Sequence, residues 1–155
     1  MTNLANILEL PIPDIGSGFI AHVPPGTYTV SCIRHETAKL FRTPKLVIWF
    51  RIVDMGPHFG KAIPRYYNIK RAIGKLGKHG GFQAGRSSDF VREYAAIFPD
   101  RITRLDRIAM QPFQTALIRA AVRTVTRDRS QRELATTLHY SVIERLIGAS
   151  VTFHK

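Results

Sequence analysis

Hydrophobic and polar residues alternate with a period of two in five stretches of the chain, and each such stretch predicts a β-strand with one face turned inward. Gly26 to Glu36 sets Tyr28, Val30 and Cys32 against Thr27, Thr29 and Ser31. The alternation slips at Ile33 and Arg34, which predicts a bulge or a strong bend. Lys45 to Asp54 has the clearest pattern: Leu46, Ile48, Phe50 and Ile52 form a continuous apolar face expected in the core, with Val47, Trp49, Arg51 and Val53 opposite. Lys61 to Lys70 carries Ile63, Tyr67 and Ile69 on one parity and Tyr66 and Asn68 on the other. Pro64 has no N–H to give to a ladder, so this third strand is expected at an edge or a bulge. Thr115 to Thr126 turns Ala116, Ile118, Ala120 and Val122 inward and Arg119 and Arg123 outward, and Thr137 to Leu146 predicts the last strand.

One segment follows the helical period instead. Asp89 to Phe98 places Phe90, Tyr94, Ile97 and Phe98 on one side, with Ser87 or Ser88 available as N-cap and Pro99 as terminator. Arg71 to Arg86, rich in Gly and Lys, is expected to be a mobile connection opening with a short helical turn. Arg127 to Glu133 predicts a polar hairpin loop. Prolines and glycines from Leu10 to Pro25 interrupt both helix and strand, so residues 1–24 are expected to form an arm, 25–148 one domain and 149–155 a short tail. Three strands, a helix and two strands predict a mainly β chain. That is the order of the OB-fold, a five-stranded Greek-key barrel with a helix between strands 3 and 4, though other α+β domains share it. In OB barrels ligands lie on strands 2 and 3 and between the loops joining strands 1 to 2 and 4 to 5.

Charge then points to a partner. Lys and Arg total 23 against 11 Asp and Glu, a net +12 in a chain whose 45% hydrophobic content is that of a folded protein. Such an excess favours polyanions. Cys32 is the only cysteine, so no internal disulfide or Cys-rich zinc site is available. Met1 to Ile20 lacks the basic start and apolar run of a secretory signal, and no stretch approaches the roughly 18 apolar residues of a membrane span. A cytoplasmic protein without membrane attachment is expected.

Between Asp54 and Asp89 there is no acidic residue, yet Lys61, Arg65, Lys70, Arg71, Lys75, Lys78 and Arg86 fall there, interleaved with Phe59, Tyr66, Tyr67 and Phe82. Cations for phosphates and rings for bases are what a sequence-tolerant single-strand binder needs. The plainer alternative is a solvated basic loop. Trp49 and Arg51, on the non-core face of the second strand, are expected to supply a stacking platform if the N-terminal arm or a partner does not cover it. Arg119, Arg123, Arg127 and Arg129 would extend the track, and the first hairpin adds Arg34, Lys39, Arg42 and Lys45. Tyr66, Tyr67, Lys61, Arg65, Lys70, Lys75 and Lys78 complete the candidate nucleic-acid site.

Enzymatic signals are weak. The six histidines show no metal-ligand spacing, and no catalytic residue, metal or cofactor is expected. Gly74 to Gly81 resembles a phosphate loop only in part, since Ala72 replaces its first glycine and His79 its Ser or Thr. Its amides and lysines could still touch phosphates nonspecifically.

Pro25-Gly26-Thr27-Tyr28, Leu46-Val47-Ile48-Trp49-Phe50-Arg51-Ile52, Gly56-Pro57-His58-Phe59-Gly60-Lys61 and Val122-Arg123-Thr124-Val125 together resemble the phage- and plasmid-encoded OB-fold single-stranded DNA-binding proteins over about residues 24–147. The resemblance implies a non-enzymatic protein acting on single-stranded DNA in replication or recombination of a mobile element. The chain departs from bacterial housekeeping single-strand binders in ending Val151-Thr152-Phe153-His154-Lys155 rather than in an acidic tail. RNA is an alternative ligand, a protein-interaction module such as a phage inhibitor or assembly factor is an alternative role, and a homodimer or higher oligomer is compatible with both.

Overall fold

The computed structural model describes residues 21–128 and 130–152. Among these residues, eight strands, one α-helix and two short 3₁₀ turns follow in chain order: β1 Gly26–Leu40, β2 Thr43–Ile52, β3 Ala62–Asn68, β4 Arg71–Ile73, β5 Gly77–Lys78, β6 Gly81–Gln83, α1 Asp89–Ile97, a 3₁₀ turn Gln111–Thr115, β7 Ala116–Val125, a 3₁₀ turn Thr136–Leu138 and β8 Tyr140–Thr152. The main sheet is antiparallel in the order β3-β2-β1-β7-β8, with β5 added to β1 and a separate β4–β6 hairpin. It is not closed: β3 and β8 lie near each other but do not pair. Among the described residues no helix is long and apolar enough to cross a membrane.

The alternation carries through into burial. Leu46, Ile48, Phe50 and Ile52 of β2 and Ala116, Ile118, Ala120 and Val122 of β7 all face the core, while Arg119 and Arg123 point to solvent. The slip at Ile33 is a β-bulge, since the β1–β2 register shifts between Cys32 and Arg34. Its consequence is a change of partner: β1 pairs with β7 only from Gly26 to Ser31, and beyond the bulge its free edge is taken at Glu36 and Thr37 by β5. β3 closes one side of the sheet, the edge position that Pro64 requires.

Helix α1 starts where its cap dictates. Ser88 Oγ accepts from the Val91 N–H at 3.3 Å, and Asp89 sits in the first turn, at the positive end of the helix dipole. Phe90, Tyr94 and Ile97 bury one face, and Phe98 and Phe113 join Tyr94 in an aromatic cluster with ring centroids 5.1–5.7 Å apart. Edge-on rings of this kind add attraction beyond their buried area.

Three expectations change. Arg71 to Arg86 is not a featureless connection: it folds as β4, β5 and β6, because Gly74, Gly77 and His79 adopt positive φ (74°, 134° and 58°) and turn the chain back on itself. The last strand begins at Tyr140 rather than Thr137 and continues to Thr152, where it pairs with Ala116, so residues 149–152 belong to the sheet and not to a tail. Of the N-terminal arm, residues 1–20 lie outside the described residues. Its end is docked: the Val23 N–H donates to Ser141 Oγ at 2.8 Å and that hydroxyl donates back to the Val23 carbonyl at 3.1 Å.

Candidate nucleic-acid interface

The outer face of β2 is closed. Trp49 is only 8% exposed and packs with Val47 and Ala62, against partly buried Ile33 and Tyr66. Its indole Nε1–H donates to Glu36 Oε1 at 3.0 Å. Arg51 beside it is buried too, and burial lowers its guanidinium pKa. The expected stacking platform is therefore absent at these two residues. The run Leu46 to Ile52 is apolar on both parities apart from Arg51, the pattern of a strand covered on both sides, and that signal was readable in the sequence.

Tyr66 is half-buried. Burial, then the charges of Tyr140 and Glu36, push its phenol up to about 12. Tyr67, a candidate site residue, is a core residue at 2% exposure, because its parity is that of Ile63 and Ile69.

Arg65 is likewise withdrawn from any phosphate. Its Nε and Nη2 donate to the Glu93 carboxylate at 3.2 and 2.5 Å, and its guanidinium lies 4.2 Å from the centre of the Tyr67 ring. Burial works against the charged guanidinium, but the bond to Glu93 and the field of Tyr67 outweigh it and raise its pKa. Glu93 also accepts from the Tyr67 hydroxyl at 2.9 Å and from the Leu146 N–H at 2.6 Å. One buried carboxylate from α1 thus joins β3 to β8 where the sheet stays open. A cleft of about 450 Å³ beside it is lined by Asp89, Arg92, Glu93 and Arg145, with Arg92 ion-paired to Asp89. Glu93 was missed from sequence, although position 93 falls on the apolar face with Phe90 and Ile97, where a charge signals a buried partner.

Arg34 sits at the bulge with its guanidinium 3.8 Å from Glu36, and most of the other candidate cations lie at one or the other end of β1. At the Leu40 end are Lys39, Arg42, Lys70, Lys75 and Lys78, all exposed, and half-buried Lys45, whose ammonium bonds to Asn68 Oδ1. They converge because Asn68 pairs with Lys45, and Lys78 with Glu36. At the Gly26 end are Lys61, Arg119, Arg123 and Arg127. The Lys61 carbonyl accepts from Ile52, the Thr29 carbonyl from Val53, and Arg119 Nη1 donates to Thr29 Oγ1 at 3.1 Å. The Arg127 backbone pairs with that of Glu133 in an isolated antiparallel bridge across the late hairpin, and Arg129 lies outside the described residues. Fourteen residue steps of β1 separate the ends, about 45 Å if fully extended and less with the bulge. These cations form two groups joined by β1, not one loop-borne cluster.

The loop from Gly74 to Gly81 offers lysines but not a ring of free amides. The Gly77 N–H donates to Thr37 Oγ1, the His79 N–H to the His35 carbonyl and the Gly80 N–H to the Gly77 carbonyl. Gly80 fits so tightly that an added Cβ would stand 2.1 Å from Thr37 Oγ1. A backbone cradle for phosphate is excluded at these three amides.

The same loop carries a pH dependence. His35 and His79 meet edge to face at 5.2 Å, and burial, then the charge of His79, lowers the His35 pKa. A lowered folded-state value means the unfolded chain binds the proton more readily. Stability is therefore full above the unfolded pKa of about 6.5 and falls as pH drops below it. Protection of the His79 amide, taken as its exchange rate relative to the intrinsic rate at each pH, is expected to fall between pH 7.5 and 5.5, and His35→Gln to flatten that dependence.

No family model, curated protein or solved structure matches the chain.

Proposed function

We propose that this protein binds single-stranded nucleic acid, DNA in the first instance, without reading sequence, and acts without catalysing a reaction. The carrying observation is the convergence of Lys39, Arg42, Lys70, Lys75 and Lys78 at one end of β1, on elements far apart in sequence but brought together by pairing. A second group, Arg119 and Arg123 on β7 and Arg127 just beyond it, lies at the other end of β1. The strand order β3-β2-β1-β7-β8, with α1 between β3 and β7, supports an OB-like barrel left open between β3 and β8. Replication or recombination of a mobile element is the setting that the resemblance to phage and plasmid binders suggests.

Fluorescence anisotropy with single-stranded DNA, duplex DNA and RNA across a salt series tests this reading. The single strand is expected to bind tightest, with log K falling against log salt at a slope of about −0.7 per phosphate neutralised, hence near −4 for six phosphates. Weak, salt-independent binding to all three polymers would refute it. One observation favours a protein-interaction module instead: Trp49 and Tyr67 are buried, so the sheet face lacks the row of rings on which a strand could stack. That reading predicts a complex with an acidic protein that survives nuclease treatment.

A further inference from the structure

The link between β1 and β2 is two residues long. Leu40 pairs with Thr43, leaving Phe41 and Arg42 as the whole turn, and both sit at positive φ, 54° and 65°. Turns with two positive φ angles match the twist of a hairpin and are ordinarily built from Asn, Asp and Gly, because a bulky side chain meets its own backbone there. This chain keeps a Phe and an Arg at those positions. Strain retained at a tip points to a use for the side chains held there.

Their setting narrows the use. Phe41 is 63% exposed, and among the described residues it is the only Phe, Tyr or Trp that is not at least half-buried. Cations flank it: Arg42 in the turn, and Lys39 and Lys45 on the two strands. The hairpin is held stiff down to its last pair, and β5 braces β1 at Glu36 and Thr37. A ring on a sheet face would stack along a continuous strand. A ring at the end of a two-residue tip instead presents a narrow wedge, with positive charge on either side, to a gap between two bases.

We infer that the β1–β2 tip is an intercalating finger that opens the first base pair at a single-strand–duplex junction, Phe41 entering between the bases while Arg42, Lys39 and Lys45 hold the phosphates. Wedges of this kind unstack a step and in return lay more protein surface against the nucleic acid. The inference rests on the nucleic-acid reading above and names the substrate within that class.

The test uses the full chain and three oligonucleotides: a single strand, a blunt duplex, and a fork with 2-aminopurine at the first paired position. Wild type is expected to raise 2-aminopurine fluorescence on the fork. Phe41→Ala should abolish that rise and weaken fork binding on the order of tenfold or more, with a smaller loss on the single strand. Phe41→Asn combined with Arg42→Gly restores favoured turn chemistry, so it should unfold at a higher temperature than wild type and yet lose the fork signal, which separates lost function from lost structure. An unchanged fork signal and affinity in Phe41→Ala, with single-strand binding intact, would overturn the finger and leave the binding function standing. A wild type that binds none of the three overturns both. Phe41-dependent sedimentation with anionic phosphatidylserine vesicles, without any fork signal, would overturn the finger by assigning the tip to a lipid surface.

Discussion

Replacing Glu93 with alanine is expected to lower the unfolding free energy by about 3–5 kcal/mol, the range for removing one partner of a buried ion pair. The carboxylate accepts from Arg65, Tyr67 and Leu146, and the Arg65 and Glu93 side chains are 12% and 10% exposed. Removing it leaves a guanidinium, a hydroxyl and a backbone N–H without their acceptor, and β3 loses its link to β8. For a chain of this size the Tm should fall by roughly 10 °C. Glu93→Gln keeps an acceptor for Tyr67 and Leu146 but turns away the charge that Arg65 needs, so a smaller loss is expected. The double variant Arg65→Met/Glu93→Leu should recover part of the stability, since no buried charge is left alone, but not all of it, since the Leu146 N–H stays unsatisfied. Urea unfolding of the three variants checks the ordering; equal stability of Glu93→Ala and wild type would show that the carboxylate contributes nothing.

Reversing two charges at either end of β1 should weaken single-strand binding between about tenfold and 100-fold, on the order of 1 kcal/mol for each phosphate no longer neutralised. Lys70→Glu/Lys75→Glu acts at the Leu40 end, and Arg123→Glu/Arg127→Glu at the Gly26 end. All four residues are exposed, so the fold should tolerate the changes. If one strand spans both patches, the two effects add and each flattens the salt dependence by roughly 0.7 per phosphate. A weakening confined to one pair would assign binding to that patch alone. Anisotropy at fixed salt, followed by the salt series, distinguishes these outcomes.

Much of the scaffold was legible along the chain. The inner faces of β2 and β7, the bulge at Ile33, the capped helix from Asp89 and the edge placement of the Pro64 strand all follow from local rules: the two-residue period, the hydroxyl before a helix, the missing N–H of proline. The candidate site was legible only as composition. Lys70, Lys75 and Lys78 are exposed as an acid-free segment suggests, whereas Arg65, equally basic and in the same segment, is bound to a carboxylate 28 positions away. The apolar second face of β2 signals a covered strand, but the alternation could not say which residues cover it. That depended on what else packs there, and Trp49 and Arg51 are covered.

The sequence by itself determined the excess of positive charge, the strand positions and the side of each strand that is apolar, because these depend on residues a few places apart. Only the tertiary structure decided which candidate cations remain available, that two groups of them gather at the ends of β1, and that among the described residues the exposed ring is Phe41 rather than Trp49. Those outcomes depend on strand pairing and on buried partners distant in the chain. Burying a charge or an indole is tolerated only where a partner such as Glu93 or Glu36 meets it, and no local pattern specifies that meeting.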